Sequence, residues 1–468
     1  MKKLSGLKNK KITIMGLGLN RGGLGVARFL SQSGARVLVT DLKTENELRK
    51  TLEELKECNI EYVLGKHRSE DFIDRDMIIQ NPAVRHNSKY LQIARTHGIP
   101  IETDLSLFFK ICPTKNLIAV GGTKGKSTVT NLIYHIFRQA QKNIVYAGNI
   151  GISVFDVLAD IRPETLVLLE VSSWQLEGLQ HMQFAPHMAI LTNILPDHLD
   201  RYQGFDDYAS SEKRIYQYQN QSDYLITNLD NPVTKYTDQE TSANVFWFST
   251  KKKVSQGCYL NQNRLIFQRE NKSVKFCIVD DIQIPGLHNI ENILAAAAAC
   301  FIQDLPLDCI TSAIRNFPGV PNRLEKIRTL KGIHFYNDTC ATTPDAVIAA
   351  IQSFSDQPLI LILGGKDKQL NYEHLCRIIH KKKNIAYLII LKHPEYDASE
   401  MIFTKLKRFN LQEKIIICLT MSEAVQTAYL KAVAGTSILL SPAATSFGMF
   451  RNEFDRGSSF LQEVKELL

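Results

Sequence analysis

The sequence predicts an α/β protein of three domains, each built around a largely parallel sheet. Two observations carry this. Three times along the chain a short apolar strand runs into a glycine-rich turn, and strands that alternate with helical patterns give parallel sheets covered on both faces. The chain is also 468 residues long, enough for two to four domains at about 100–200 residues each, with three as the central expectation.

The first opening is Lys11-Ile-Thr-Ile-Met15, followed by Gly16-Leu-Gly-Leu-Asn-Arg-Gly-Gly23 and a helical pattern through Val26, Phe29 and Leu30. A second strand, Arg36-Val-Leu-Val-Thr40, ends at Asp41. A dinucleotide fingerprint would need glycine where Arg21 stands, so this is a Rossmann-like opening with an altered turn. The second opening is Asn116-Leu-Ile-Ala-Val120, then Gly121-Gly-Thr-Lys-Gly-Lys-Ser127. Val129, Leu132, Ile133, Ile136, Phe137 and Ala140 follow on one face of a 3.6-residue period. The third is Pro358-Leu-Ile-Leu-Ile-Leu363, then Gly364-Gly-Lys-Asp-Lys368, again Rossmann-like. Breaks at Cys112-Pro-Thr-Lys115 and Phe317-Pro-Gly-Val-Pro321 give domains at 1–112, 113–318 and 319–468.

Composition narrows the function. Hydrophobic residues at 44% and charged residues at 22% are ordinary globular values. A net charge of +8 suits anionic small substrates. No dense Lys/Arg stripe with interleaved aromatics appears, which speaks against nucleic acid. The nine cysteines run from Cys58 to Cys418 without a Cys-x-x-Cys pair. That opposes a zinc ribbon or a disulfide framework and suits a reducing compartment. The basic N-terminus lacks the apolar core of a signal peptide, since Gly16, Gly18, Asn20 and Arg21 break it. The richest apolar run, Ile293 to Ile302, is far short of the roughly 20 residues of a spanning helix. A soluble, cytoplasmic protein without membrane insertion is expected.

Gly122-Thr-Lys-Gly-Lys-Ser-Thr128 lies between a buried strand and a helix, the context a phosphate cradle needs. Glycines let backbone N–H groups turn inward, Lys126 reaches the β- and γ-phosphates, and the Ser127 hydroxyl can hold Mg²⁺. Val120 stands where the standard pattern has its first glycine, so the glycine run is shortened. Thr165-Leu-Val-Leu-Leu169 reads as a neighbouring buried strand, with Glu170 at its C-terminal end. Ligands of open α/β sheets bind at that edge, which makes Glu170 the metal carboxylate of an ATP–Mg²⁺ site.

Further motifs follow in order: Gly148-Asn-Ile-Gly151, Glu170-Val-Ser-Ser-Trp-Gln-Leu-Glu177, Leu191-Thr-Asn-Ile-Leu-Pro-Asp-His-Leu-Asp-Arg-Tyr202, Gly286-Leu-His-Asn-Ile-Glu-Asn292, Phe317-Pro-Gly-Val-Pro-Asn-Arg-Leu-Glu325, Asn337-Asp-Thr-Cys-Ala-Thr342 and Leu440-Ser-Pro-Ala-Ala-Thr-Ser446. With the phosphate loop, this ordered set resembles the Mur ligase family from end to end. The resemblance implies an ATP-dependent ligase that forms an acyl phosphate and passes it to an amine. Its nearest branch adds glutamate, D-glutamate foremost, to UDP-N-acetylmuramoyl-L-alanine in peptidoglycan synthesis, as a monomer.

The resemblance also implies roles. Gly18, Leu19, Asn20 and Asp41 would meet the UDP part. Asn149, Ser172 and Gln175 would orient the nucleotide-sugar. Gly122, Thr123, Lys124, Gly125, Lys126, Ser127 and Thr128 would cradle ATP, with Asn289, Asn292, Arg323 and Asp338 meeting the ADP part. Ser127 and Glu170 would hold one Mg²⁺ and His198 a second. Thr342, Lys368, Ser446 and Phe447 would line the glutamate pocket.

Three positions depart from the family pattern. Relatives carry a carbamylated lysine four residues after a tyrosine; here Tyr208-Ala-Ser-Ser-Glu-Lys-Arg-Ile215 puts Glu212 there and Lys213 one residue on. Either Glu212 supplies the negative charge directly or a shifted, modified Lys213 does. Cys340 replaces a lysine expected to pair with a glutamate carboxylate, which keeps an L-glutamate-adding ligase open. Lys124 replaces an asparagine, and would either add a phosphate contact or point outward. A folylpolyglutamate synthetase-like ligase, a P-loop regulatory ATPase and an NAD dehydrogenase are the rival readings.

Overall fold

The computed structural model describes residues 5–18, 21–198, 201–354, 357–367, 370–395 and 397–468. The chain divides into two compact units, Met1–Val279 with Glu291–Ile314, and Asp280–Ile290 with Arg315–Leu468. The first unit carries two sheets and the second carries one.

The N-terminal sheet comprises β1 (Lys11–Met15), β2 (Arg36–Asp41), β3 (Ile60–Leu64), β4 (Met77–Gln80) and β5 (Ile101–Glu102). Its order is β3-β2-β1-β4-β5 and every pairing is parallel. The chain reverses direction across the sheet between β1 and β4, and such a switch point opens a crevice at the strand C-termini. The turn after β1 lies there. Arg21, which breaks the dinucleotide fingerprint, opens the helix Arg21–Gln32.

The central sheet comprises β6 (Leu117–Gly121), β7 (Ile144–Gly148), β8 (Leu166–Glu170), β9 (Met188–Leu191), β10 (Tyr224–Asn228), β11 (Asn244–Ser249), β12 (Gly257–Asn261), β13 (Arg264–Arg269) and β14 (Lys272–Ile278). The order is β14-β13-β12-β11-β10-β9-β6-β8-β7, parallel except for the β12-β13-β14 meander. All five residues of β6 and of β8 are buried, as continuous apolar runs in a doubly covered sheet should be. The helix Lys126–Gln139 packs Val129, Leu132, Ile133, Ile136 and Phe137 inward as expected. Ala140 instead forms its C-cap, because the helix ends one residue earlier than the apolar period. The run from Ile293 to Cys300 is wholly interior to the helix Leu287–Ile302. Among the described residues no helix is long and apolar enough to cross a membrane.

The two sheets of the first unit share one core. Phe29 stacks on Phe155 at 4.6 Å, and a Cβ on Gly25 would lie 2.1 Å from Ser153 Oγ. Only a residue without a side chain lets that helix come so close.

The second unit holds β15 (Glu325–Leu330), β16 (Ile333–Asn337), β17 (Leu359–Leu363), β18 (Ile385–Leu391), β19 (Ile415–Cys418) and β20 (Ser437–Leu440). Its order is β15-β16-β20-β17-β18-β19, with only β15 antiparallel. Separate apolar clusters fill its two faces. The fold is thus α/β with parallel-rich sheets in three domains.

Candidate active site

The loop after β6 is fixed by backbone demands and by its neighbour. Gly122 has φ +111°, and a Cβ there would sit 2.4 Å from Thr192 Oγ1. Gly125, at φ +90°, caps the following helix where a Cβ would meet Asn292 Oδ1 at 2.2 Å. The segment after β9 holds the loop in place. The Thr123 N–H donates to the Asn193 carbonyl (2.9 Å), the Lys124 N–H to Asn193 Oδ1 (3.0 Å), and the Thr192 hydroxyl to the Lys124 carbonyl (2.7 Å). Ser127 and Thr128 lie half-buried in the first helical turn, where free N–H groups and the helix dipole favour an anion. The Lys126 ammonium folds back onto the carbonyls of Gly122 and Thr123. Lys124 points outward and pairs with Asp197 at 3.0 Å.

Two buried carboxylates flank this loop. Glu170 ends β8, which pairs with β6 so that Val120 and Glu170 are register partners. It is 2% exposed; Oε1 accepts from Asn149 Nδ2 at 3.1 Å, and Oε2 is buried with no hydrogen-bond partner. A buried anionic oxygen left in that state is costly, and a cation would relieve it. Among the described residues no three His, Cys, Asp or Glu side chains converge into a preformed metal centre. The fit to Mg²⁺ therefore rests on that orphaned oxygen beside the Ser127 turn.

Glu212 lies on the helix Phe205–Lys213 and is 1% exposed. Its oxygens accept from the Gly122 N–H (3.0 Å) and the Tyr208 hydroxyl (2.9 Å). The Tyr208 oxygen also shares a hydrogen bond with Thr123 Oγ1 at 2.8 Å. Burial and the Glu212 charge push the Tyr208 phenol up, so it stays a protonated donor. Burial pushes the Glu212 carboxyl up as well, while Lys126, Tyr208, Gly122 and His198 pull the other way. Lys213, one residue on, pairs instead with Glu240 at 2.6 Å. The helix thus brings Glu212 to the loop and turns Lys213 away from it. His198 is exposed at φ +53° and packs its ring near Trp174, with centroids 5.2 Å apart.

Ser172 and Gln175 form a capping box on the short helix Ser173–Glu177, so each is engaged with the other's backbone. In the N-terminal sheet the buried Asp41 accepts from the Gly18 N–H (2.9 Å) and the Lys43 N–H (2.8 Å). That carboxylate shapes the turn at the switch point. Leu19 and Asn20 fall outside the described residues, as do Asp200 and Lys368.

In the second unit Asn289 donates to the Pro285 carbonyl at 2.7 Å, while Asn292 belongs to the first unit. Asp338 follows β16 and accepts from Ser441 Oγ (2.8 Å) and the Leu324 N–H (3.2 Å). Burial pushes its carboxyl up to about 7, opposed by the Arg323 charge beside it. Thr342 and Cys340 are half-buried, Ser446 is buried and Phe447 is 53% exposed. Burial raises the Cys340 thiol, and His334 sits at the far end of β16 against Thr329. This is no activated nucleophile. The Gly364–Asp367 turn is laced to Thr445 by paired backbone hydrogen bonds from Lys366. Sequence reasoning missed Arg456, a fully buried side chain that donates to Thr339 Oγ1 (3.0 Å), Thr339 O (2.9 Å) and Ala444 O (3.1 Å). It ties the loops after β16 and β20 together. The run Asn452 to Gly457 gave no periodic signal for it, since an arginine on a polar helix normally reads as solvated.

Comparison with known proteins covers the whole chain. Residues 10–103 match the family described as Mur ligase MurD-like, N-terminal domain; 120–300 match the Mur ligase middle domain; 322–444 match the Mur ligase, glutamate ligase domain. The UDP-N-acetylmuramoylalanine--D-glutamate ligase of Roseiflexus sp. (strain RS-1) is 38% identical over 98% of this chain and 99% of its own. Its counterpart in Clostridium tetani is 34% identical over 98% and 97%. In three dimensions the chain is similar to the UDP-N-acetylmuramate-alanine ligase of Thermotoga maritima, with TM-score 0.61, 21% identity, and 97% and 99% of the two chains covered.

Proposed function

This chain belongs to the Mur ligase family, and from that premise we propose that it joins D-glutamate to UDP-N-acetylmuramoyl-L-alanine at the expense of ATP. The observation that supports this most is the phosphate loop pinned between two buried carboxylates, one with an oxygen free for a cation, in a chain that matches D-glutamate ligases end to end.

The chemistry begins with two anions. An oxygen of the alanyl carboxylate attacks the γ-phosphorus and ADP leaves, which yields an acyl phosphate. The glutamate amine then attacks the acyl carbon, phosphate departs, and the amine loses a proton. Positive charge held in place lowers both barriers. Lys126, released from the Gly122 and Thr123 carbonyls, would turn to the γ-phosphate. Ser127 and Glu170 would hold one Mg²⁺, whose contribution is to neutralise the phosphate oxygens. His198 and Glu212 would face a second, with Glu212 serving as a built-in carboxylate; a carbamylated Lys213 is the rival, and its pairing with Glu240 argues against it. Gly122, Thr123, Lys124, Gly125 and Thr128 would complete the cradle, and Asn289, Asn292, Arg323 and Asp338 would meet ADP. Gly18, Leu19, Asn20 and Asp41 would receive the UDP part, Asn149, Ser172 and Gln175 the sugar, and Thr342, Lys368, Ser446 and Phe447 the glutamate. We assign the three functions to domains 1–112, 113–318 and 319–468. The protein would work as a cytoplasmic monomer; nine cysteines with no disulfide among the described residues suit that compartment.

The test is ATP-dependent phosphate release with UDP-N-acetylmuramoyl-L-alanine and D-glutamate, L-glutamate or no amino acid. Release that needs both the sugar nucleotide and D-glutamate is expected. A preference for L-glutamate would overturn the stereochemistry and point to Cys340. ATP hydrolysis indifferent to both substrates would overturn the ligase.

A further inference from the structure

His198 stands in a strained, exposed turn, and its backbone N–H is taken by Asp197 Oδ1 at 3.0 Å. Its ring is steadied from one side by Trp174. Over the indole lies the guanidinium of Arg201, 4.3 Å from the ring centroid.

Arg201 is unusually well held. Its side chain is 10% exposed. Nη2 donates to Glu177 Oε2 (3.0 Å) and to the Pro82 carbonyl (2.9 Å), Nη1 donates to the Ala83 carbonyl (3.4 Å), and its own N–H donates to the His198 carbonyl (2.9 Å). One residue therefore meets the His198 turn, the short helix Ser173–Glu177 and the turn after β4 in the N-terminal sheet. Glu177 balances its charge, and His86 of the same N-terminal segment lies 3.7 Å from that carboxylate. A charge so paired is not available to a phosphate. What remains is geometry: a planar guanidinium can stack on an indole and donate at its edge at once, which an ammonium cannot.

We infer that Arg201 is a positioning residue for the acyl-phosphate step: anchored on the Pro82 and Ala83 carbonyls of the N-terminal sheet, it sets Trp174 and through it the His198 imidazole. This rests on the reading that His198 serves that step. It gives the N-terminal domain a second task beside holding UDP, since its Pro82–Ala83 turn becomes part of the support of the catalytic loop.

The experiment is a double-mutant cycle on the full-length enzyme, with Arg201→Met, Arg201→Lys, Trp174→Leu and Trp174→Phe made alone and in a His198→Ala background. Misplacement of a reacting group costs on the order of tenfold to a hundredfold, so Arg201→Met and Trp174→Leu should lower kcat by about tenfold. KM for ATP and glutamate should hold within about twofold, because no substrate contact is removed. Trp174→Phe, which keeps a ring, should recover most of the loss, and Arg201→Lys should not. In the His198→Ala background Arg201→Met should cost less than about twofold, since residues acting through one another are not additive. An undiminished tenfold loss in that background would overturn the inference while leaving the His198 reading intact. An unchanged kcat in His198→Ala alone would overturn that reading and the inference with it. If Arg201→Met does not fold, the Arg201→Lys and Trp174 variants carry the same cycle.

Discussion

Around the phosphate loop two carboxylates are buried, and burial raises Glu212 even though Lys126, Tyr208, Gly122 and His198 all oppose it. Glu212 takes N–H and O–H donors and lies beside Lys126, and Glu170 keeps an oxygen open. In the second unit Asp338 is buried to a similar degree and is raised as well, with one hydroxyl, one N–H and a more exposed arginine opposing the shift. Burial pushes both toward the neutral form; what differs is the set of donors and cations that opposes it, fuller at Glu212 than at Asp338. The central region keeps an open carboxylate oxygen for a cation, while around Cys340 the charges of Arg323, Arg456, Glu453 and Asp338 act in opposite directions.

The strongest way to break the comparison is Lys126→Ala. One transition-state donor is worth roughly 3 kcal/mol, a hundredfold or more in kcat. Turnover within about threefold of wild type would show that the loop's prepared charge is not what drives the reaction.

Glu212→Ala comes next. The Gly122 N–H loses its acceptor, at a cost of about 1–3 kcal/mol in stability, and kcat should fall by about tenfold or more if the carboxylate also faces a metal. Glu212→Gln, whose Oε1 can accept from the Gly122 N–H while its Nε2 donates to a Tyr208 hydroxyl turned toward Thr123 Oγ1, separates the two effects: stability recovers and activity does not. Added bicarbonate should leave the wild-type rate unchanged. A rate that rises with bicarbonate and loses that rise in Lys213→Ala would move the role to Lys213.

Much of the central site was legible in the chain, for a physical reason. A phosphate loop is a local object: strand, glycines and helix cap are consecutive, so β6 and the helix after it fall within a residue of expectation. Glu170 was readable because a buried strand must end at the sheet's binding edge. Glu212 was found as a departure from a pattern, but its hold on Gly122 spans 90 residues and no periodicity encodes that. Arg201 and Arg456 were not singled out, because their partners come from distant segments and a polar residue looks the same on either side of a surface. The β12-β13-β14 meander was missed too; β13 buries four residues in a row without alternation, and the exposed Lys272, Ser273 and Lys275 break the apolar pattern of β14.

Asp338→Asn probes the neutral side of the comparison. With its carboxyl pushed up to about 7 by burial, against an ordinary 3.8, the folded protein binds a proton that the unfolded chain has released. Stability should therefore fall as pH rises from about 4 to 7 and level off above, by about 4 kcal/mol at the limit. Asn keeps both hydrogen bonds if the Ser441 hydroxyl turns to accept, and it removes the titration. Asp104, raised to about 6 by burial in the first unit, slopes the same way, so the quantity to read is the difference between wild type and Asp338→Asn in urea midpoints across that window. Equal slopes would mean Asp338 is ionised in the folded state and that the two regions are alike.

The smallest expected effect belongs to Cys340→Ser. The thiol is half-buried, its pKa is raised, and no histidine is positioned to activate it. A hydroxyl of similar size should change kcat by less than about threefold, the range of surface and near-neutral substitutions. Any change should fall on KM for glutamate, because the family resemblance leads one to expect at this position a lysine that pairs with the amino acid. Cys340→Lys carries the same argument forward: a lower KM for glutamate with kcat unchanged would mean the pocket had been short of one cation. A rise in KM would mean that its recognition has been rebuilt around a neutral side chain at this position.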